Sequence, residues 1–324
     1  MIDLFQGTHY EIGVQIGRKY HKVIRNYLRC GNLGKTAILD AYYSMVSVYF
    51  PQYLEELIGI AHGAHISFTR LFNQVCCEDQ SITNGGCTDI ITESFVIHTN
   101  DELQQLGKDI VIYCIKAPNE PEIICFTTGC IHIQCAINSM GVCFTGNALV
   151  GNDCQTKGVP KYIFYRAVTA LGSIKSIINL CKKVPRASAD NINVSTAKER
   201  LNIECSATDL RVHHISEPYI HTNHFIDPHL RQYEASPTLK ESTDRLRRAE
   251  YLLHKCKDHL TAKSLRSIIT DHGYTTHGSS GAICRHGKIA TIFAIIINLK
   301  TGRITYFDGY PCEGRLLSYR TNFI

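Results

Sequence analysis

Two periodicities divide the chain. From Glu11 to Leu28, the apolar residues Ile12, Ile16, Tyr20, Val23, Ile24, Tyr27 and Leu28 recur at helical spacing, and Gly13 and Gly17 sit one turn apart. Further helices are predicted from about Thr36 to Tyr49, from Gln52 behind Pro51 to about His62 with Gly63 closing it, and over Thr69–Cys77. The stretch before Gly85 therefore reads as a helical lead segment.

From Cys87 the period changes to two. Strands are predicted at Thr88–Thr92, Phe95–Thr99, Asp109–Lys116, Glu122–Thr127, Ile131–Ile137 and Val142–Thr145. Two helices follow, Lys161–Leu171 and Ile174–Lys182, and then strands at Leu201–Cys205, Leu210–Ile215 and Tyr219–Thr222. Helices Ser242–Cys256 and Ala262–Ile269 precede two last strands, Ala290–Asn298 and Arg303–Phe307. Short strands joined by tight turns and interrupted by helix pairs imply antiparallel sheets covered by helices.

The period changes at Asn84-Gly85-Gly86-Cys87-Thr88. Glycines reach φ/ψ values closed to residues with a Cβ, so the pair can kink the backbone and expose the carbonyl before Cys87. Attack of the thiol on that carbonyl would move the acyl group from nitrogen to sulfur, and water would then release Cys87 as a new terminus. A free α-amine titrates near ~8 against about 8.5 for a thiol, so one residue could supply both nucleophile and base. Taken alone, Gly-Gly-Cys-Thr is more often a turn before a strand.

Composition narrows the class. The 324 residues suffice for a large core, and 44% hydrophobic with 19% charged residues fits a soluble globular protein. A net charge of +5 without a dense basic block gives no support for nucleic-acid binding, and no apolar run long enough for a membrane span occurs. The 15 cysteines are scattered without C-x-x-C repeats, which argues against a disulfide scaffold or a zinc ribbon. The expectation is a reduced, cytoplasmic protein with no cofactor and no metal. His221 and His224 lie on a strand-like segment without a Cys or carboxylate pattern and are not read as ligands. Arg245, Arg247 and Arg248 read as a solvated helix face.

Several motifs occur in one order: Gln6-Gly7-Thr8-x-x-Glu11-Ile12-Gly13, Gly59-Ile60-Ala61-x-Gly63, Gly86-Cys87-Thr88, Asn138-Ser139-x-Gly141-Val142, Asn147-Ala148-Leu149, Gly158-Val159-Pro160, His221-Thr222-Asn223-His224 and Ile283-Cys284-Arg285. With this set the chain resembles the acyl-CoA:6-aminopenicillanic acid acyltransferase (isopenicillin N acyltransferase)-like family of N-terminal nucleophile (Ntn) cysteine hydrolases. The resemblance implies an α+β fold, a four-layer αββα sandwich with an N-terminal helical segment, made as an inactive precursor that cuts itself between Gly86 and Cys87. Residues 1–86 would be the helical α-subunit, retained after cleavage, and 87–324 the β-subunit carrying the catalytic core.

By motif position Cys87 would be the nucleophile, Asp101 the carboxylate that orients its amine, and Asn223 the oxyanion-hole amide. A hairpin of the first two strands could return Asp101 beside Cys87. Where the penicillin acyltransferase carries an arginine, this chain has Lys288, which keeps the charge but loses the planar fork. Arg285 is an alternative cation, and Asn147 and Glu204 are candidates for the pocket wall or for core and turn roles.

Three functions follow from the resemblance. The first is an autoprocessed amidohydrolase acting on a linear amide or small peptide-like substrate. The second is an acyltransferase, with acyl-CoA as candidate donor, passing the same acyl group to an amine. The third is an inert binding homologue.

Overall fold

The computed structural model describes residues 2–30, 36–79, 85–256, 259–273 and 281–324. A short strand, β1 (Asp3–Gln6), precedes helices α1 (His9–Cys30), α2 (Leu39–Tyr49), α3 (Pro51–Ala64) and α4 (Phe68–Cys76). Strands β2 (Gly86–Ile91), β3 (Phe95–Leu103), β4 (Ile110–Lys116), β5 (Ile123–Thr128), β6 (His132–Asn138) and β7 (Cys143–Ala148) follow. After α5 (Lys161–Thr169) and α6 (Ile174–Lys183) come β8 (Asp190–Ser195), β9 (Arg200–Cys205), β10 (Leu210–His214) and β11 (Tyr219–His221). The chain ends with α7 (Leu239–Lys255), α8 (Ala262–Ile269), β12 (Ile289–Asn298), β13 (Arg303–Asp308) and β14 (Arg315–Arg320).

The strands form two sheets, one in the order β1-β4-β5-β6-β7-β8-β9-β10 and the other in the order β11-β2-β3-β12-β13-β14. They face each other: β2 lies on β7, and Phe126 of the first sheet meets Tyr306 of the second with ring centroids 6.0 Å apart. α1, α4 and α5 cover the outer face of the eight-stranded sheet, where His132 of β6 bonds Tyr27 and Gln74 and stacks on Tyr162 at 3.7 Å. α7 and α8 cover the outer face of the six-stranded sheet through Ala249, Leu253, Leu265 and Ile268 against Ile90, Ile97 and Ile296. The architecture is thus an αββα sandwich with a helical lead segment, as the resemblance implies. Among the described residues no helix is long and apolar enough to cross a membrane.

Between the sheets lies a polar ladder. Asp89 of β2 accepts from Thr145 Oγ1 (2.6 Å) and Asn193 Nδ2 (2.7 Å) and pairs with His98 Nδ1 (2.6 Å), all fully or nearly fully buried. Asn193 also bonds Asn147 and Asn202, and Asn191 bonds both as well. Such groups persist inside only when paired, so the ladder fixes how the two sheets face each other.

The lead segment is built into this body. β1 pairs in parallel with β4, a strand the helical reading of residues before Gly85 missed. Thr8 and Glu11 cap α1 reciprocally, Thr8 N donating to Glu11 Oε2 (2.8 Å) and Glu11 N to Thr8 Oγ1 (3.3 Å). Glu56 of α3 accepts a forked pair of hydrogen bonds from Arg166 of α5 (3.0 Å at each oxygen) and pairs with His9 (2.9 Å). α1 and α3 touch through glycines on both: a Cβ on Gly13 would stand 2.0 Å from Glu56 O, and one on Gly63 would stand 2.2 Å from Val14 O.

Gly63 therefore does not close α3. The helix continues to Ala64 and ends at His65, whose φ of 53° places it in the left-handed region. Gly63→Ala is expected to cost about 3 kcal/mol or more, because the blocking atom is backbone and both helices must separate. A urea midpoint unchanged from wild type would contradict this packing role.

Candidate active site

The hairpin β2–β3 creates the centre of the site. Its register sets Gly86 opposite Asp101 and Cys87 opposite Asn100, and opposed residues project to one face. Cys87 is buried at the wall of a cavity of about 830 Å³, a volume suited to a small organic substrate. Asn84, the first residue of the motif, lies outside the described residues.

The Cys87 N–H donates to Asn223 Oδ1 at 2.7 Å. Asn223 follows β11, which pairs with β2, so a third strand carries this side chain to Cys87. Its own N–H donates to Ser242 Oγ (2.7 Å) and its Nδ2 to Ala148 O (3.1 Å), which locks the amide in place. The Cys87 thiol points at Asn100 Oδ1 (3.5 Å), and Asn100 Nδ2 is buried with no partner among the described residues. A second side-chain amide thus stands beside Cys87, with a free donor at Nδ2. It could be found in the sequence only from strand register.

Asp101 is fully buried one ladder step from Cys87. Its Oδ1 accepts from Thr291 Oγ1 (2.7 Å), and its Oδ2 lies 3.8 Å from Arg285 Nη1. The expected hairpin therefore brings Asp101 to the cavity, while the group on the Cys87 nitrogen is Asn223. Arg285 also pairs with Glu241 (2.9 Å) and lines the cavity, as does the exposed Lys288.

Asn147 and Glu204 lie elsewhere. Asn147 turns into the ladder between the sheets, accepting from Asn191 Nδ2 (2.7 Å), whereas its neighbours Gly146 and Ala148 line the cavity. Glu204 is a positioning group: it accepts from His221 Nε2 (2.7 Å) and from the backbone N–H of Ile226 and Asp227 (2.8 Å each), bracing the segment that carries Asn223. Burial pulls the Glu204 pKa upward, but the His221 bond and charge and the two N–H donors outweigh it and hold it below the usual value.

Arg245 overturns the reading of its cluster as a solvated face. Only Arg247 is exposed, and Arg248 pairs with Asp271 (2.8 Å). Arg245 is 2% exposed, donates to Asn223 Oδ1 and to Cys87 O (3.4 Å), and lies against Gly86. A Cβ on Gly86 would stand 2.9 Å from its Nη2. The glycine before Cys87 is thus explained by close approach of a guanidinium, since neither Gly85 nor Gly86 has a positive φ. The available signal was the helical stripe Ser242, Arg245, Ala249, Leu253, which is the buried face of α7.

Burial and charge at the site work against an ionised thiol. Burial pushes the Cys87 pKa well above the ordinary thiol value, and the carboxylates of Asp89, Asp101 and Glu102 push it further, while Arg245 pulls it back.

Known proteins similar to this chain include two hydrolases and an acylase. A curated relative, the beta-alanyl-dopamine/carcinine hydrolase of Drosophila melanogaster, is 22% identical over an alignment of 231 positions that covers 59% of this chain and 59% of that protein's length. This chain thus spans less than two thirds of that relative. Among solved structures, penicillin V acylase from Agrobacterium tumefaciens aligns at 10% identity over 72% of this chain and 86% of its own, with a TM-score of 0.45. A mutant of conjugated bile acid hydrolase from Clostridium perfringens aligns at 11% identity over 74% of this chain and 97% of its own, with a TM-score of 0.43. The family model of acyl-coenzyme A:6-aminopenicillanic acid acyl-transferase matches residues 83–311, which takes in Cys87, Asn100, Asp101, Asn223, Arg245 and Arg285. This chain belongs to that family.

Proposed function

We propose that the protein is an autoprocessed cysteine amidohydrolase that cuts its own chain between Gly86 and Cys87 and then hydrolyses a small linear amide. The observation that carries this reading is the Cys87 peptide N–H held by Asn223 Oδ1 while Arg245 lies against the Gly86–Cys87 link. The Cys87 thiol attacks the Gly86 carbonyl carbon, the C–N bond breaks as the acyl group passes to sulfur, and water hydrolyses the thioester. Residues 1–86 end as a free carboxylate and remain attached through β1 and the Glu56–Arg166 pair.

Cleavage turns the Cys87 nitrogen into an amine that can take the thiol proton itself. In turnover the thiolate adds to the substrate carbonyl, and the Nδ2 group of Asn100, which has no partner among the described residues, and that of Asn223, which already bonds Ala148 O, are the side-chain donors for the oxyanion. The protonated Cys87 amine gives its proton to the departing amine, and water then releases the acid. Asp101, buried one step away, supplies the negative charge that favours this ammonium.

Acyl transfer to an amine would use the same acyl-enzyme. The exposed Lys288 and Arg285 on the cavity wall are the cations that would suit an acyl-CoA donor. The two readings separate on product. Mature enzyme given carcinine, or another N-acyl amine, with and without a second amine should yield the free acid in both cases by mass spectrometry. A new amide as main product would replace hydrolysis by transfer, and a Cys87 that a thiol-reactive acyl probe fails to label would leave a binding protein.

A further inference from the structure

We propose that His272, Cys284, His286 and Cys312 form a zinc site, separate from Cys87, that ties together three loops at the end of the six-stranded sheet. The four donor atoms all lie within 4.8 Å of one another. Cys284 Sγ is 3.5 Å from Cys312 Sγ and 3.6 Å from His286 Nε2, and Cys312 Sγ is 3.3 Å from the same nitrogen. A tetrahedral zinc ion with its usual bond lengths would separate two sulfurs by about 3.8 Å and a sulfur from a nitrogen by about 3.6 Å. The three measured edges are within a few tenths of an ångström of those values. His272 Nε2 is buried with no hydrogen-bond partner among the described residues, and its ring centroid is 5.0 Å from that of His286.

The surrounding backbone holds these donors together. His272 follows α8, and the preceding Asp271 accepts backbone bonds from Ile283 (3.0 Å) and Cys284 (2.9 Å), which brings the two segments side by side. Arg248 of α7 clamps the Asp271 carboxylate with bonds of 2.9 and 2.8 Å. Cys312 arrives from beyond β13, whose last pair with β12 is Asp308 opposite Phe293 and is followed by a bond from Gly309 N to Ile292 O. His286 stacks on Tyr310 at 4.0 Å and 15°. The ring is therefore oriented before any ligand binds.

The donor set selects the ion. Two soft sulfurs and two imidazoles suit zinc and exclude magnesium and calcium, which take oxygen. Binding releases one proton from each thiol, and the two thiolates balance the charge of the dication, so no oxidant or reductant is involved. Four protein donors leave no open position, which is the mark of a structural site. Arg285 sits between Cys284 and His286 and reaches Asp101 and Glu241, so an ion here would fix one cation of the cavity wall.

The test is metal binding by the full-length, reduced protein, stripped with a chelator and titrated with Zn²⁺ or Co²⁺ against a chromophoric competitor. Wild type should bind stoichiometrically, and the Co²⁺ form should show tetrahedral d–d bands and sulfur-to-metal charge transfer. His272→Ala and Cys312→Ser should each lose affinity by at least ~10-fold, and Cys87→Ala should bind as wild type does. His286→Cys, which keeps four donors, should hold the ion with added thiolate charge transfer, so a variant that merely unfolds is recognisable. Wild type that binds no Zn²⁺, a Co²⁺ spectrum without sulfur bands, affinity unchanged in Cys312→Ser, or a Cys284–Cys312 disulfide in the native protein would overturn the site.

Discussion

Cys87→Ala is expected to stay a single uncut chain under denaturing conditions and to show no amide turnover, while wild type separates into two fragments broken between Gly86 and Cys87. Both losses would have one cause, because in the proposed mechanism the same sulfur forms the thioester with Gly86 and the acyl-enzyme with substrate. The side chain is buried at the cavity wall with its N–H held by Asn223 Oδ1, and a methyl group leaves that bond and the hairpin register intact. The variant should therefore melt near wild type. Intact mass measured on both proteins decides the matter: a Cys87→Ala chain still cut at Gly86 would remove the cysteine from processing.

Replacing Arg245 by Met should lower turnover by ~100-fold or more, the scale seen when a preorganised polar contact at a reacting centre is removed. Arg245 is the cation that opposes the carboxylates around Cys87, and it also holds Asn223 Oδ1 and Cys87 O. Its loss should raise the Cys87 pKa further, shifting the alkaline rise of Cys87 alkylation to higher pH. Arg245→Lys keeps the charge but can no longer reach both oxygens with a planar fork, so it should restore the pH profile more than the rate. A Met variant with wild-type turnover and an unshifted profile would reduce Arg245 to packing. Thermal melting separates that case from unfolding, since an apolar side chain of similar length in a buried ionic position is often tolerated.

Sequence pattern alone located most of the helices and strands, because burial of one face writes its period into the chain. It also marked Gly86-Cys87 as a candidate centre, and the family resemblance pointed to Asp101 and Asn223 through motifs short enough to be read locally. What it missed shares a physical cause. β8 (Asp190–Ser195) puts Asn191 and Asn193 into the buried ladder, so its inward face is polar and does not look like a strand. β14 is an edge strand that is largely exposed, and β1 gains its place only by pairing with β4, more than a hundred residues away.

The division of roles among like residues was settled in three dimensions. Arg245 and Arg247 differ by two positions, yet the turn of α7 sends one against Gly86 and the other to solvent. Asn147 and Glu204 left the cavity for the ladder and for the Asn223 segment, because strand alternation gives neighbouring residues opposite faces. Asn100 reached Cys87 by register, and His272, Cys284, His286 and Cys312 converge through pairing of distant segments. Periodicity is a local consequence of burial and is therefore carried by the sequence. Which side chain meets which across a hundred residues depends on register and packing, and only the tertiary structure decided it.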